Sequence, residues 1–243
     1  MNFRFCIFIL EGLLRIERRS AKRIGNVFLG IKSKMRTFDK GELTSLCDEI
    51  ALKDADLHSI ILKYGYPPFW DRKPNFETLI HIILEQQVSL ASAKSALLKL
   101  KGKLGTITAE KLILLSDQEL RDCYFSRQKT SYAKNLAREI LTGRLVPSRL
   151  SSLSDLQIRE KLTAVKGIGN WTVDIFLLMA LHRIDVFPAG DLAAVRSLKR
   201  NKNLPQDVSR ETVLKISETW KPYRSIATMI LWHSYIRDKN IKL

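Results

Sequence analysis

The segment from Phe76 to Gln87 constrains the fold more than any other. Phe76, Leu79, Ile80, Ile83, Leu84 and Gln87 fall at i, i+3, i+4, i+7, i+8 and i+11. That spacing lines one face of an α-helix and would scatter over both faces of a strand. Ser89 is placed to cap an Ala- and Leu-rich helix from Leu90 to Leu100. Ser116 with Glu119, and Ser154 with Gln157, have capping-box spacing. Tyr132, Leu136 and Ile140 step by four before the stop signals Gly143 and Pro147. Pro222 suits the first turn of a last helix carrying Ile226, Met229, Ile230 and Tyr235. No stretch alternates apolar and polar residues between hairpin turns, and no repeat of about 20 to 50 residues is present. The fold class is all-α, with the proline-bearing segments 64–74 and 144–152 as its longest loops.

Composition narrows the partners. In 243 residues, 41 Lys and Arg against 25 Asp and Glu give a net charge of +16, a field that draws phosphate polymers or anionic surfaces. Residues 1–36 hold nine basic and two acidic residues. They read as a basic N-terminal extension: a flexible arm, a transit-like tail, or sequence upstream of a later start. Residues 37–243 read as the folded domain and are basic in their own right. No run approaches the roughly 18 to 20 apolar residues that cross a bilayer, so no membrane partner is expected. Cys6, Cys47 and Cys123 are far apart and odd in number, which fits a reducing compartment. There is no Cys-x-x-Cys, and His58, His81, His182 and His233 lack close ligand spacing; no metal site is expected.

The chemistry centres on two stretches, VKGIGNWTVDIF (165–176) and DVFPAGD (185–191). A helix over 154–165, with Leu156, Leu162 and Val165 inward, would turn at Lys166-Gly167-Ile168-Gly169 into a second helix. Two glycines let the backbone approach an anion closely, and amides at the second helix start point toward it. Ile168 would plug the gap between the helices. Alone, Gly-x-Gly is equally an ordinary helix connection.

The longer pattern Leu162-x-x-Val165-x-Gly167-Ile168-Gly169-x-x-Thr172 resembles the helix-hairpin-helix motif of the base-excision DNA glycosylases. That family carries a loop with Pro and an essential Asp after the hairpin, here Phe187-Pro188-Ala189-Gly190-Asp191. Within the superfamily the chain is most similar to the 3-methyladenine DNA glycosylase II group. The supporting residues are Phe76-Glu77-x-Leu79, Leu84-Glu85-Gln86-Gln87-Val88-Ser89, Trp220-Lys221-Pro222-Tyr223-Arg224-Ser225-x-Ala227, and Trp232. The similarity covers about residues 60 to 237. It implies two helical subdomains flanking a cleft, double-stranded DNA with alkylated bases as partner, a monomer, and an intracellular place with the DNA. It implies no iron–sulfur cluster or other cofactor; a monovalent cation at the hairpin is allowed. Some members carry an extra N-terminal α/β domain, for which residues 1–36 are too few and too basic.

Asp191 also looks like a helix cap, and the two roles are compatible, because helix-end amides favour the anion. A carboxylate about 4 Å from a developing sugar cation is worth roughly 4 kcal/mol at an effective dielectric near 20, on the order of a thousandfold in rate. An alkylated purine leaves as a neutral base, so the second carboxylate of ordinary glycosidases is not required. Asp174 and Asp185 read as loop or surface carboxylates. Relatives that also cut the strand carry a lysine two residues past the second glycine, where this chain has Trp171. Hydrolysis without a Schiff base is expected, against two alternatives: a non-catalytic hairpin DNA-binding protein, or a bifunctional glycosylase/lyase for oxidised bases.

An extruded base needs aromatic surfaces. Trp171, Trp232, Tyr66 and Trp70 are the pocket candidates, with Leu192 where relatives place an aromatic. Lys166, Gly167, Ile168, Gly169 and Thr172 would meet DNA at the hairpin. Gln87 resembles the glutamine that fills the vacated space, and Phe125-Ser126-Arg127 occupies a loop where others place a wedge, which puts Arg127 among the DNA contacts.

Overall fold

A computed structural model describes residues 36–241. Cys6 and the proposed extension lie outside the described residues, apart from Arg36. That residue joins the body: its carbonyl accepts the Ile184 amide at 3.1 Å, and its guanidinium donates to the Tyr223 hydroxyl at 3.3 Å.

Among the described residues the chain forms twelve α-helices, in keeping with the expected all-α class. They are α1 (Leu43–Ala51), α2 (Ala55–Tyr64), α3 (Phe76–Glu85), α4 (Leu90–Leu104), α5 (Ala109–Leu114), α6 (Asp117–Asp122) and α7 (Arg127–Leu141), then α8 (Asp155–Thr163), α9 (Asn170–Met179), α10 (Leu192–Asn201), α11 (Arg210–Glu218) and α12 (Arg224–Asp238). The one β-type pairing described is an isolated bridge between Thr37 and Arg183. Both expected capping boxes form, at Ser116–Glu119 and Ser154–Gln157.

Local chemistry moves several boundaries. Ser126 accepts the Lys129 amide at 3.2 Å, so α7 begins at Arg127. The last helix begins at Arg224, leaving Pro222 in the turn before it. The expected loop 144–152 contains a short 3₁₀ helix, Pro147–Ser152. Leu156, expected inward, is 74% exposed. Ile158, two residues on and so nearly opposite on the helix, is buried in its place.

The helices pack as two groups. In one, α12 lies against α1, α2 and α10. In the other, α7 meets α3, α5 and α6, while α3 meets α4 and α9, and α9 meets α8. A continuous apolar core runs through both. The segment between α9 and α10, residues 180–191, links the groups and carries the carboxylate of interest.

Candidate functional site: a hairpin beside a triply held carboxylate

The hairpin turn is built around one glycine. Gly167 has φ +105°, and a Cβ there would come nearer than 3.0 Å to Cβ, Cγ and Cδ1 of Tyr132. The ring of Tyr132, on α7, therefore lies directly against the backbone, and its hydroxyl accepts the Gln128 side-chain amide at 2.5 Å. Ile168 is buried, as its plugging role requires, and its amide bonds the Val165 carbonyl at 3.0 Å. Gly169 is the N-cap of α9 and offers no side-chain acceptor. The first-turn amides thus keep their donors for an anion, at the positive end of the helix. Lys166 stands exposed on the same turn.

Thr172 departs from its expected role. It is 1% exposed, and its hydroxyl oxygen accepts Nε2 of Gln86 at 3.0 Å. Its side chain braces the hairpin from inside and cannot reach a phosphate. Arg159 braces the other flank, donating to Asn170 Oδ1 at 2.9 Å and Asp174 Oδ1 at 2.6 Å. Asp174 is not a loop or surface carboxylate: it lies on α9 and is 9% exposed. Burial pushes its carboxyl up, and the Arg159 guanidinium opposes this only in part.

The loop to Asp191 is anchored on the start of α12. The hydroxyl of Ser225 accepts the Val186 amide at 3.0 Å and donates to the Arg183 carbonyl at 2.6 Å. The Arg224 guanidinium pairs with both oxygens of Asp185 at 2.7 and 3.0 Å, so Asp185 ties the loop down. Phe187 meets Trp220 edge-on at 5.7 Å. A turn then closes with the Asp191 amide on the Pro188 carbonyl at 2.8 Å, and α10 begins.

Asp191 caps that helix, as its sequence context predicts: Oδ1 accepts the Ala194 amide at 2.8 Å. The same oxygen accepts Nε1 of Trp232 at 2.9 Å, and Oδ2 accepts Nε1 of Trp171 at 3.0 Å. Two indole donors from different helices and one backbone amide converge on a half-buried carboxylate. Such N–H···O contacts to an acceptor of full charge are strong and directional, so the side chain is fixed before any ligand arrives. Trp171 lies two residues past Gly169, which places the carboxylate within one side chain's reach of the hairpin.

Trp70 meets Trp232 edge-on at 5.9 Å, extending the aromatic wall. On the open side, Gly190 is exposed and Leu192 is 67% exposed. Two cavities of about 410 and 240 Å³ lie elsewhere, the first lined by Leu84, Val88, Ser92, Tyr124 and Lys129, the second beside Lys166. Neither is lined by Asp191.

The remaining candidates divide. Tyr66 is 44% exposed, and its hydroxyl donates to Asp48 Oδ1 at 2.7 Å, apart from the tryptophans. Gln87 is exposed in a left-handed conformation, φ +57°, between α3 and α4. Arg127 is exposed at the first position of α7. Phe125 is 3% exposed and cannot project as a wedge, whereas Tyr124 is left-handed (φ +65°) and 60% exposed. Sequence reasoning passed over Tyr124 and Gln86, the second because it looks like its neighbour. Among the described residues no group of His, Cys, Asp and Glu could hold a metal ion, and no helix is long and apolar enough to cross a membrane.

A family model described as HhH-GPD superfamily base excision DNA repair protein matches residues 80–222. The chain is 36% identical over 125 residues to the Bacillus subtilis protein YfjP, covering 51% of this chain but only 44% of that one. It is 32% identical over 167 residues to DNA-3-methyladenine glycosylase 1 of Schizosaccharomyces pombe, covering 67% of this chain and 73% of that one. The solved structure of the S. pombe 3-methyladenine DNA glycosylase Mag1 in complex with abasic DNA superposes with a TM-score of 0.73 at 28% identity, covering 80% of this chain and 97% of that one. The match spans the hairpin, the carboxylate loop and the Trp171 donor together, and the chain belongs to the HhH-GPD superfamily of base excision DNA repair proteins.

Proposed function

We propose that this protein is a monofunctional DNA glycosylase that hydrolyses the N-glycosidic bond of alkylated purines of the 3-methyladenine type, working as a monomer on duplex DNA in base excision repair. One observation carries the reading: a single carboxylate, Asp191, is held by three N–H donors within a side chain's reach of a hairpin with free amides. The names of the relatives support the substrate class. In this reading residues 37–243 are the glycosylase domain and residues 1–36 a basic extension, and the protein resides with the DNA inside the cell.

The hairpin amides and Lys166 take the phosphates of one strand, and Gln87 enters the space left by the rotated nucleotide. The extruded cationic purine stacks on the Trp171 and Trp232 faces. The C1′–N bond breaks with its electron pair leaving on the purine, which departs neutral. Positive charge on the sugar meets the Asp191 carboxylate, which also orients the attacking water and takes its proton as the water adds to C1′. The donors on Asp191 fix its oxygens and oppose rearrangement as charge develops, the condition under which electrostatic stabilisation is largest. Trp171 offers no amine, so no imine with the sugar forms. No cofactor is required. A monovalent cation at the hairpin would find only backbone carbonyls, and that of Gly167 already accepts Gln86 at 3.1 Å.

The test is incubation with methylated duplex DNA, with chromatography of the released bases. Free 3-methyladenine, with strand breaks only after alkali and no borohydride-trapped protein–DNA adduct, is the expected result. Absence of any released base, or a trapped adduct, would overturn the proposal.

A further inference from the structure

Gln86 stands between the two elements that this reaction needs to act together. It is the C-cap of α3, and the next residue is the left-handed, exposed Gln87. Its own side chain turns the other way and crosses to the hairpin. There Nε2 donates to the Gly167 carbonyl at 3.1 Å and to Thr172 Oγ1 at 3.0 Å. Both hydrogens of one amide group are thus spent on the hairpin. The end of α3 is itself well fixed: Arg72 grips both oxygens of Glu85 at 2.6 and 3.0 Å, and Lys129 Nζ donates to the Leu84 carbonyl at 2.7 Å.

These contacts fix a peptide plane. The Gly167–Ile168 peptide is held at its carbonyl by Gln86 and at its amide by Val165. Tyr132 closes the remaining side of Gly167, so the backbone there cannot rotate. The direction of the amides that follow, at Gly169 and the first turn of α9, is set by that plane. Gln87, one peptide bond from the anchor, is set by the same residue.

We propose that Gln86 is a positioning residue that fixes the register between the strand-gripping hairpin and the gap-filling Gln87, so that grip and base extrusion occur in one geometry. This deepens the function proposed above and rests on it.

Three measurements test it: affinity for a duplex carrying a tetrahydrofuran abasic-site analogue, single-turnover base release from methylated duplex at saturating protein, and the thermal midpoint. Gln86→Met keeps the volume and removes both donors; it is expected to weaken binding about tenfold or more, with the midpoint lowered by only a few degrees. Gln86→Glu places an acceptor against the Gly167 carbonyl and should bind at least as weakly. Thr172→Val removes one acceptor only and should have the smaller effect. A role in fold stability alone would lower the midpoint but leave variants at positions 86 and 87 additive. Register control predicts that Gln87→Ala, expected to slow release in the native background, adds little in Gln86→Met. Binding by Gln86→Met within twofold of the native protein, or full additivity with Gln87→Ala, would overturn the proposal. Should Gln86→Met not fold, Gln86→Glu and Thr172→Val carry the same comparison. If the native protein releases no base, the proposed function fails, while affinity for the abasic analogue still decides the role of Gln86.

Discussion

Gly167→Ala reports most sharply on how the hairpin is built. The substitution meets two penalties of different origin. An L-residue at φ +105° is strained by about 1–2 kcal/mol. The new methyl also lands in the Tyr132 ring, and such overpacking costs about 1–3 kcal/mol. Tyr132 has little freedom to yield, because the clash reaches its Cβ, which moves only with the α7 backbone. The sum, about 2–5 kcal/mol, is a large part of the roughly 5–15 kcal/mol that stabilises an ordinary domain. Urea unfolding of Gly167→Ala, Tyr132→Ala and the double variant separates the two effects. Truncating the ring removes the contacts at Cγ and Cδ1 but leaves the one at Cβ and the strain, so the variants should couple in part, by about 1–2 kcal/mol. A single variant within about 0.5 kcal/mol of the native protein, or strict additivity, would refute this account of the turn.

Phe in place of Trp171 or Trp232 keeps an aromatic wall and removes one donor to Asp191; each should slow single-turnover release by about tenfold, and unchanged rates in both would disconnect the indoles from the chemistry. Lys166→Ala should reduce the slope of log affinity against log salt by about 0.9, one phosphate contact, whereas an unchanged slope removes Lys166 from the interface. Burial holds His81 and His182 below the usual imidazole value. As pH falls the unfolded chain therefore takes up protons first, so stability present above about 6.5 is lost below it. Thermal midpoints from pH 8 to 5 should fall; a rise would contradict the sign. Asp155 and Asp174, raised by burial, act in the opposite sense only nearer the carboxylate range.

What the sequence discloses and what it conceals divide along contact range. Ser116, Ser154 and Asp191 each announce a helix start through residues three positions away, and each forms that cap. The apolar face of α3 is legible for the same reason. Thr172 could not be placed from sequence, because the partner of its hydroxyl, Gln86, lies far away in the chain. Gln86 and Gln87 are the same residue type in adjacent positions, and only the left-handed turn at Gln87 sends one side chain inward and the other out. The pressure of Tyr132 on Gly167 and the indole donors on Asp191 are likewise made by distant segments. Motif spacing located the hairpin and the carboxylate; tertiary packing assigned their neighbours. Tyr66 shows the limit of composition as a guide, since a half-exposed tyrosine near a tryptophan in sequence pairs with Asp48 instead.

In the proposed mechanism the charge on Asp191 is what stabilises the sugar cation. Asp191→Asn keeps the shape of the side chain and, through its amide oxygen, the acceptor for the helix cap and the Trp232 indole, while removing the charge and the acceptor for Trp171. Single-turnover release of 3-methyladenine from methylated duplex should fall on the order of a thousandfold, with affinity for the abasic-site duplex equal to or tighter than that of the native protein. Release within tenfold of the native rate would contradict the claim.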